Sequence, residues 1–540
     1  MIHILRWLVR LWLRSGAVRS LLIVVFFFCF TLHFLSVSKQ TAETAADYED
    51  DTLVKTADEE NIEVEMPPEA ARWSGNEGSP PHSDDPTLGP HGDWLEVEGS
   101  NRNVFVYSAY LDRRGTLNVV RIIAIIKKRT KVKECVVWAG NSTQRVTAKS
   151  QNIKENWNLA YSAGFVLCYL TDPTTVPTRV AVVANGVAAE GSSLPVQDLT
   201  MREPQGNMSV CVKAFHYNFD RAVWLVEFIE FYRLLGADKF IFYNHTIGSN
   251  VEAVLRYYRE LGLATVLPWS LPVVTQVEIR TEGIFAALND CNLRSVNRFP
   301  LAAMVDVDEF LVPRRHPSLL HLVHSYRSTD HAFIFQNVFF YLYWENDTAV
   351  NDVLFGNDQG LGPALFGSQA AMPYLLTASK TRRLAKPHKH GVRSKYIVRP
   401  EAVVELGNHN VWEYVGTQPQ IKSTKGREKF IGRTSTARSG YGAGTRRVTS
   451  GYGAGSYTTP RQSQTKGVRR ARPIPADVGL SHHYRICEFG GFDCLKQSNL
   501  VDRTAHNWLE PLYTHVASAC THIFPSLGMC PAAPPLGSPW

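Results

Sequence analysis

None of the nine cysteines sits at the paired CxxC spacing of a zinc site, so disulfides are the better expectation for the eight beyond Cys29, an even number that suits an oxidising compartment. Which cysteine pairs with which is not legible from spacing. Charge is missing altogether between Arg19 and Lys39, where LLIVVFFFCFTLHFLSVS comes close to the roughly 20 residues needed to cross a bilayer. No small-residue cleavage site of A-x-A type follows the run, which disfavours a removable signal peptide. Arg6, Arg10, Arg14 and Arg19 precede it, whereas Glu43, Asp47, Glu49, Asp50 and Asp51 follow. The positive-inside rule then predicts a cytosolic tail over 1–19, a transmembrane signal anchor over 20–38 and export of everything beyond.

Large apolar residues are scarce in the next stretch. From 40 to 100, seventeen acids face only Lys55 and Arg72, with Pro67-Pro68 and Pro80-Pro81 among them. Such a chain buries too little surface to offset its entropy, and 39–100 reads as a disordered acidic stem. Acids are missing in turn from 417 to 472, where thirteen Lys and Arg face Glu428 alone and SGYGAG occurs at 439–444 and 450–455. Outside that stretch the formal charge is 7 − 12 = −5, so the net +7 is a local excess and makes no case for nucleic acid. The expectation is a basic low-complexity insertion on which neither fold nor activity depends. Sequons at Asn141, Asn207, Asn244 and Asn346 suit an exported domain. Anchor, stem and large exported part together describe a resident enzyme of the secretory pathway.

Two folded regions remain. Residues 101–200 alternate in strand fashion without a convincing helix, as in NVFVYSAYLD, TLNVVRIIAIIKK and AGFVLCYL, which predicts a small β-sandwich domain. From Met208 strands and helices take turns. MSVCVKAFHY, KFIFYN and ATVLPW read as strands, RAVWLVEFIEFYRLLGA and NVEAVLRYYRELG as helices closed by Gly236 and Gly262, and TEGIFAALNDCNLRSVNRF as a third helix. That order predicts an α/β fold with a mostly parallel sheet over 208–530, its ligand at the carboxyl ends of the strands.

LAAMVDVDEFLVP, 301–313, puts Asp306, Asp308 and Glu309 at such an end. Buried carboxylates are costly unless paired or metal-bound. Read as one extended strand, the segment points Asp306 and Asp308 the same way, and their hard oxygens suit Mn²⁺ or Mg²⁺ holding a diphosphate. A calcium-binding helix-loop-helix is excluded, since Phe310, Leu311 and Pro317 would fill its fifth, sixth and twelfth positions.

VCVKAFHYNFDRAVWLVEFIEFYRLLGADKFIFYN, the NDC at 289–291, MVDVDEFLVP, SKYIVRPEAV, LGNHNVW and the late HHYR, taken together over roughly Val104 to Arg485, resemble glycosyltransferase family 92. The resemblance implies the GT-A fold, a type II Golgi membrane protein, and metal-dependent, inverting transfer of galactose from UDP-galactose in β-linkage to a glycan. It puts the metal on Asp306 and Asp308, with His483 completing the shell; His482 and, less well, His409 stay open, and Glu309 either orients a ligand or solvates the strand end. Lys395 and Arg399 are candidates to stabilise the leaving diphosphate. His216, Asn218, Tyr243 and Asn244 are placed to frame the uridine. Inversion also needs a carboxylate base. Glu345, beside a stacking Trp344, and Asp358 are alternatives for it, Asp347 being crowded by the Asn346 sequon. A different class of function, a non-catalytic glycan-binding membrane protein of the same fold, stands as the alternative.

Overall fold

The computed structural model describes residues 93–116, 118–188, 191, 193–200, 202–326, 330–349, 375–416, 470–487 and 492–534. Its first region is wholly β: β1 (Leu95–Glu96), β2 (Val104–Asp112), β3 (Val119–Lys127), β4 (Glu134–Ala139), β5 (Ser142–Asn152), β6 (Tyr161–Tyr169), β7 (Arg179–Val182) and β8 (Leu194–Asp198). The expected sandwich is corrected here. The strands form one continuous sheet in the order β1-β2-β3-β6-β5-β4-β7-β8, and β8 returns to pair with β2 through Ala109↔Val196, Tyr110↔Gln197 and Leu111↔Asp198. Seven strands thereby close into a barrel. The physical reason lies in β5, which pairs with β4 along its first half and with β6 along its second, so it carries the sheet round a corner instead of ending one layer. Leu95 and Val97 are buried in this region, so the ordered fold starts inside the stretch expected to be stem.

The second region opens with β9 (Met208–Val212), α1 (Ala222–Leu234), β10 (Lys239–Asn244), α2 (Ser249–Glu260), β11 (Ala264–Pro268), α3 (Ile284–Ser295) and β12 (Leu301–Val305), in the alternation read from sequence. The rest is β13 (Glu309–Pro313), α4 (Leu319–Ser325), β14 (Ala332–Tyr341), α5 (Leu376–Ser379), β15 (Arg382–Leu384), β16 (Lys395–Val398), β17 (Val403–Leu406), β18 (Val411–Tyr414), β19 (Ala471–Pro473), β20 (Gly479–Arg485), β21 (Asn499–Val501) and α6 (Leu509–Ile523). The main sheet runs β11-β10-β9-β12-β16-β14-β20-β13, with β19 alongside β14. Its first four strands are parallel, and β16 enters antiparallel to both β12 and β14. The class is therefore mixed α/β. Because β19 contains Ala471 and Arg472, and Arg472 ion-pairs with the buried Asp330, the basic insertion ends earlier than 472. No helix among the described residues is long and apolar enough to cross a membrane, and the expected anchor at 20–38 lies outside them.

Apolar periodicity explains the helices. α1 is buried almost all round, and its two acids are partnered: Glu227 accepts from Leu376 N, Thr377 N and Thr377 Oγ1, and Glu230 from Tyr258 and Arg233. Barrel and sheet share a core. Trp269, at the end of β11, meets Tyr107 of β2 and Tyr243 of β10 edge-on at centroid distances of 4.8 and 4.7 Å. Such pairs add about 0.5–1.5 kcal/mol each beyond burial. Disulfides tie β4 to β6 (Cys135–Cys168), β9 to α3 (Cys211–Cys291) and the end of α6 to the following turn (Cys520–Cys530). Cys487 pairs with Cys494, seven residues further on.

Asn141, Asn207 and Asn346 are exposed, whereas Asn244 closes β10 half-buried with its side-chain oxygen inside. Expression through the secretory pathway is expected to put glycans on the first three and none on Asn244. Peptide mapping after glycosidase treatment in heavy-oxygen water reads this directly, and a deamidated, labelled Asn244 is the contrary result.

Candidate active site

The DVDE segment is not one strand. β12 ends at Val305, the chain turns through Asp306, Val307 and Asp308 with Glu309 N donating to Asp306 O at 3.0 Å, and β13 starts at Glu309. The two aspartates thus share a tight turn instead of one face of an extended chain. The turn stands at the carboxyl end of the parallel strands, where the alternation of elements put it. β20 lies antiparallel to β13 with Glu309 opposite His483, and β16 starts beside the end of β12 with Lys395.

Those registers assemble a closed run of charge. Lys395 Nζ is 3.2 Å from both Asp306 Oδ2 and Glu309 Oε2, and His483 is 3.2 Å from Glu309 Oε1 through Nδ1 and 3.3 Å from Asp308 Oδ2 through Nε2. Asn337 donates to Glu309 at 3.2 Å, and Asn408 accepts from Lys395 at 2.8 Å. Glu309 and Lys395 are buried, while Asp306 and Asp308 keep about a quarter of their side chains open (24% and 23%). Burial pushes the Glu309 carboxyl up to about 7 against the pull of Lys395 and His483. Burial alone would lower Lys395, but Asp306 and Glu309 more than offset it and hold the ammonium above the ordinary lysine value. His483 is likewise lowered by burial and raised, on balance, by Asp308 and Glu309.

At the turn three carboxylates face the Lys395 ammonium and the His483 imidazole. Among the described residues no group of three or more His, Cys, Asp or Glu is already gathered as a metal site. The donor set nevertheless fits a hard divalent ion. Two ligands of one octahedral ion, each about 2.1 Å from it, stand about 3.0 Å apart, close to the Asp308–His483 separation of 3.3 Å.

His482 and His483 are told apart by strand alternation. His483 faces the acids, whereas His482 packs under Phe340 at 4.4 Å, its pKa pushed down to about 3 by burial. His409 Nδ1 meets Ser394 O, just before β16, at 3.3 Å, and its Nε2 meets the neighbouring Asn408 at 3.2 Å.

Several expected donor contacts are corrected. Lys395 is spent on Asp306 and Glu309 and is a scaffold for the acids, not a free phosphate ligand. Arg399 lies at the opposite end of β16, donating to Asp330 O. Tyr243 is fully buried and donates to Asp290 Oδ2 at 2.7 Å, within a cluster where Ser108, Tyr110 and Arg294 also meet Asp290. It cannot reach a nucleotide. His216 and Asn218 do follow the carboxyl end of β9. His216 Nε2 lies 3.5 Å from Glu282 Oε2, and Tyr217, Asn218, Thr281 and Glu282 all hold left-handed backbone (φ 54, 52, 48 and 47°). Strain of that kind concentrates at ligand-binding edges.

Glu345 is exposed beyond β14; Trp344 is buried against Tyr341 and offers no stacking face. Asp347 is held by Arg503 and Thr381, whose hydrogen bonds pull its pKa down to about 2. Asp358 lies outside the described residues. Sequence reasoning missed Asn337, Asn408, Arg393 and Arg485. The last two stack on Phe339 at 5.2 and 4.8 Å, and Phe339 meets His483 at 5.3 Å, so two guanidinium groups lie one ring away from His483. A basic residue at the end of the late HHYR motif was the available signal.

Residues 206–431 match the family model described as Glycosyltransferase family 92. The resemblance read from the motifs holds. Two Caenorhabditis elegans proteins are each similar to part of the chain. Beta-1,4-galactosyltransferase galt-1 is 28% identical over 228 residues, covering 39% of this chain and 52% of that protein. Glycosyltransferase family 92 protein F13G3.3 is 22% identical over 260 residues, covering 42% and 49%. The chain thus spans about half the length of the curated relatives it matches. Among solved structures, glucosyl-3-phosphoglycerate synthase from Mycobacterium tuberculosis aligns at 16% identity over 36% of this chain and 57% of that one, with a TM-score of 0.18, too slight to bear on the argument. The family 92 segment takes in the acidic turn, Lys395 and the LGNHNVW motif, and leaves out the barrel and β20.

Proposed function

We propose that the protein is an inverting, metal-dependent glycosyltransferase of GT-A type that moves galactose from UDP-galactose in β-linkage onto a glycan, as a Golgi-lumenal, membrane-anchored enzyme. The observation that carries this reading is the run Asp306–Lys395–Glu309–His483–Asp308 at the carboxyl end of the parallel strands. Asp308 and His483, with Asp306 across the turn, would hold Mn²⁺ or Mg²⁺, which when bound neutralises charge on the leaving diphosphate. Lys395 and Asn337 fix Glu309, and Glu309 fixes His483 in turn, so that both partly open aspartates keep their places before a donor arrives. Arg393 and Arg485, stacked on Phe339, are further cations for phosphate oxygens. The galactosyltransferase relative supports galactose as the sugar.

The test is a panel of UDP-sugars with Mn²⁺, each with and without glycan acceptors, measuring UDP release. Release from UDP-galactose that rises with an acceptor is expected. Saturable glycan binding with no UDP release from any donor sinks the reading in favour of a non-catalytic binder.

A further inference from the structure

The LGNHNVW motif touches the run of charge through Asn408, and three of its members converge on one side chain of the barrel. Trp412 Nε1 and Asn408 N both donate to Glu155 Oε2, at 3.0 and 3.1 Å. A Cβ added at Gly407 would stand 2.1 Å from that same oxygen and 2.1 Å from Trp412 Nε1, so only glycine leaves room for the carboxylate. Glu155 belongs to the β5–β6 loop, and the β17–β18 hairpin grips that loop twice more, through Lys154 N on Glu405 Oε1 at 2.7 Å and Lys154 Nζ on Glu413 at 3.0 Å. A loop tip of the barrel is thereby mounted rigidly beside the acidic turn, since Asn408 in turn holds Lys395 and Lys395 holds Asp306. The loop also reaches the other side of the sheet's carboxyl edge. Trp157 carries the Arg280 guanidinium over its ring at 4.5 Å, two residues before the Glu282 that meets His216.

We propose that Glu155, supplied by the barrel, is the general base of the transfer reaction, an assignment that rests on the glycosyltransferase reading above. Its Oε2 is fixed by two N–H donors, which leaves Oε1 for an acceptor hydroxyl. In the step, the acceptor oxygen forms its bond to the sugar's anomeric carbon as its proton passes to Glu155. The bond from that carbon to the diphosphate oxygen breaks, and the electron pair leaves with the diphosphate. Burial holds the Glu155 carboxyl above the ordinary glutamate value against the pull of Trp412, Asn408 and Lys395, which strengthens it as a base. The assignment also gives the barrel a role: it supplies the acceptor side of a site whose donor side is the acidic turn.

The test is Glu155→Gln in the full chain, which keeps an oxygen for Trp412 and Asn408. Turnover with acceptor is expected to fall by about 10² to 10⁴ while donor affinity by calorimetry and the melting temperature stay put, because the base acts only on the acceptor and in the transition state. Glu155→Ala should recover part of its turnover with added formate, which a purely structural role does not allow. Turnover of the Gln variant within threefold of wild type overturns the assignment. So does loss of donor affinity in step with turnover and without formate rescue. A wild-type protein that transfers no sugar overturns the glycosyltransferase reading itself, and that outcome is distinct from an active wild type matched by an active Gln variant.

Discussion

Asp308→Asn is expected to abolish transfer and to cost most of the donor affinity measured in Mn²⁺. The substitution keeps the size of the side chain and the turn hydrogen bond from Tyr484 N to Asp308 O at 2.9 Å, so the local backbone has no reason to move. What it removes is a hard anionic oxygen 3.3 Å from His483 Nε2. A neutral amide binds Mn²⁺ or Mg²⁺ far more weakly than a carboxylate. Donor binding and turnover should therefore fall together, in contrast to the Glu155 variant, where only turnover falls. Calorimetry with UDP in Mn²⁺, set beside steady-state rates, separates the two. A variant that still transfers galactose at near wild-type rate removes the acidic turn from the mechanism.

What the sequence made legible was local. Strand, helix and strand from Met208 onward follow from apolar periodicity over a few residues, and the ligand edge follows from their order. The turn between β12 and β13 was misread because MVDVDEFLVP is apolar on both sides of its acids, and nothing within it signals that Glu309 N bonds back to Asp306. His483 was found by its motif, but the choice between it and His482 needed the register that sets His483 opposite Glu309. Barrel closure was out of reach for the same reason: β8 meets β2 across more than eighty residues of chain, and alternation alone gives which side chains point inward, not which strands pair. Glu155 is the extreme case. It sits in a polar loop, QNIKENWNLA, with no local pattern, and its partner Trp412 is 257 residues away. Tyr243 shows the converse error, since an aromatic at a strand's carboxyl end looks like a ligand contact until Asp290 is seen to hold its hydroxyl.

Lys395→Met is expected to be the most destabilising single change at the site, and its cost should depend on pH. Lys395 is the one ammonium between two carboxylates, 3% exposed, and methionine fills its volume without its charge. Removing one partner of a buried pair typically costs about 3–5 kcal/mol because the other charge is left uncompensated. Glu309 already sits near pH 7 through burial, and without the ammonium it moves higher still. A carboxyl whose folded pKa lies above its unfolded value of about 4.3 binds a proton in the native state that the unfolded chain has released. Its contribution to stability is therefore lost as pH rises through that interval. The variant should lose more near pH 8 than near pH 5.5, where Glu309 carries a proton with or without the ammonium; because the wild-type carboxyl is already pushed up to about 7, the loss grows between the two by about 1.4 kcal/mol at most. Denaturant unfolding of wild type and variant at the two pH values reads this as a gap that widens with pH. A gap that stays constant means that Lys395 acts through packing and through Asn408 alone. No gap at either pH means that the acidic turn does not depend on Lys395 for its shape.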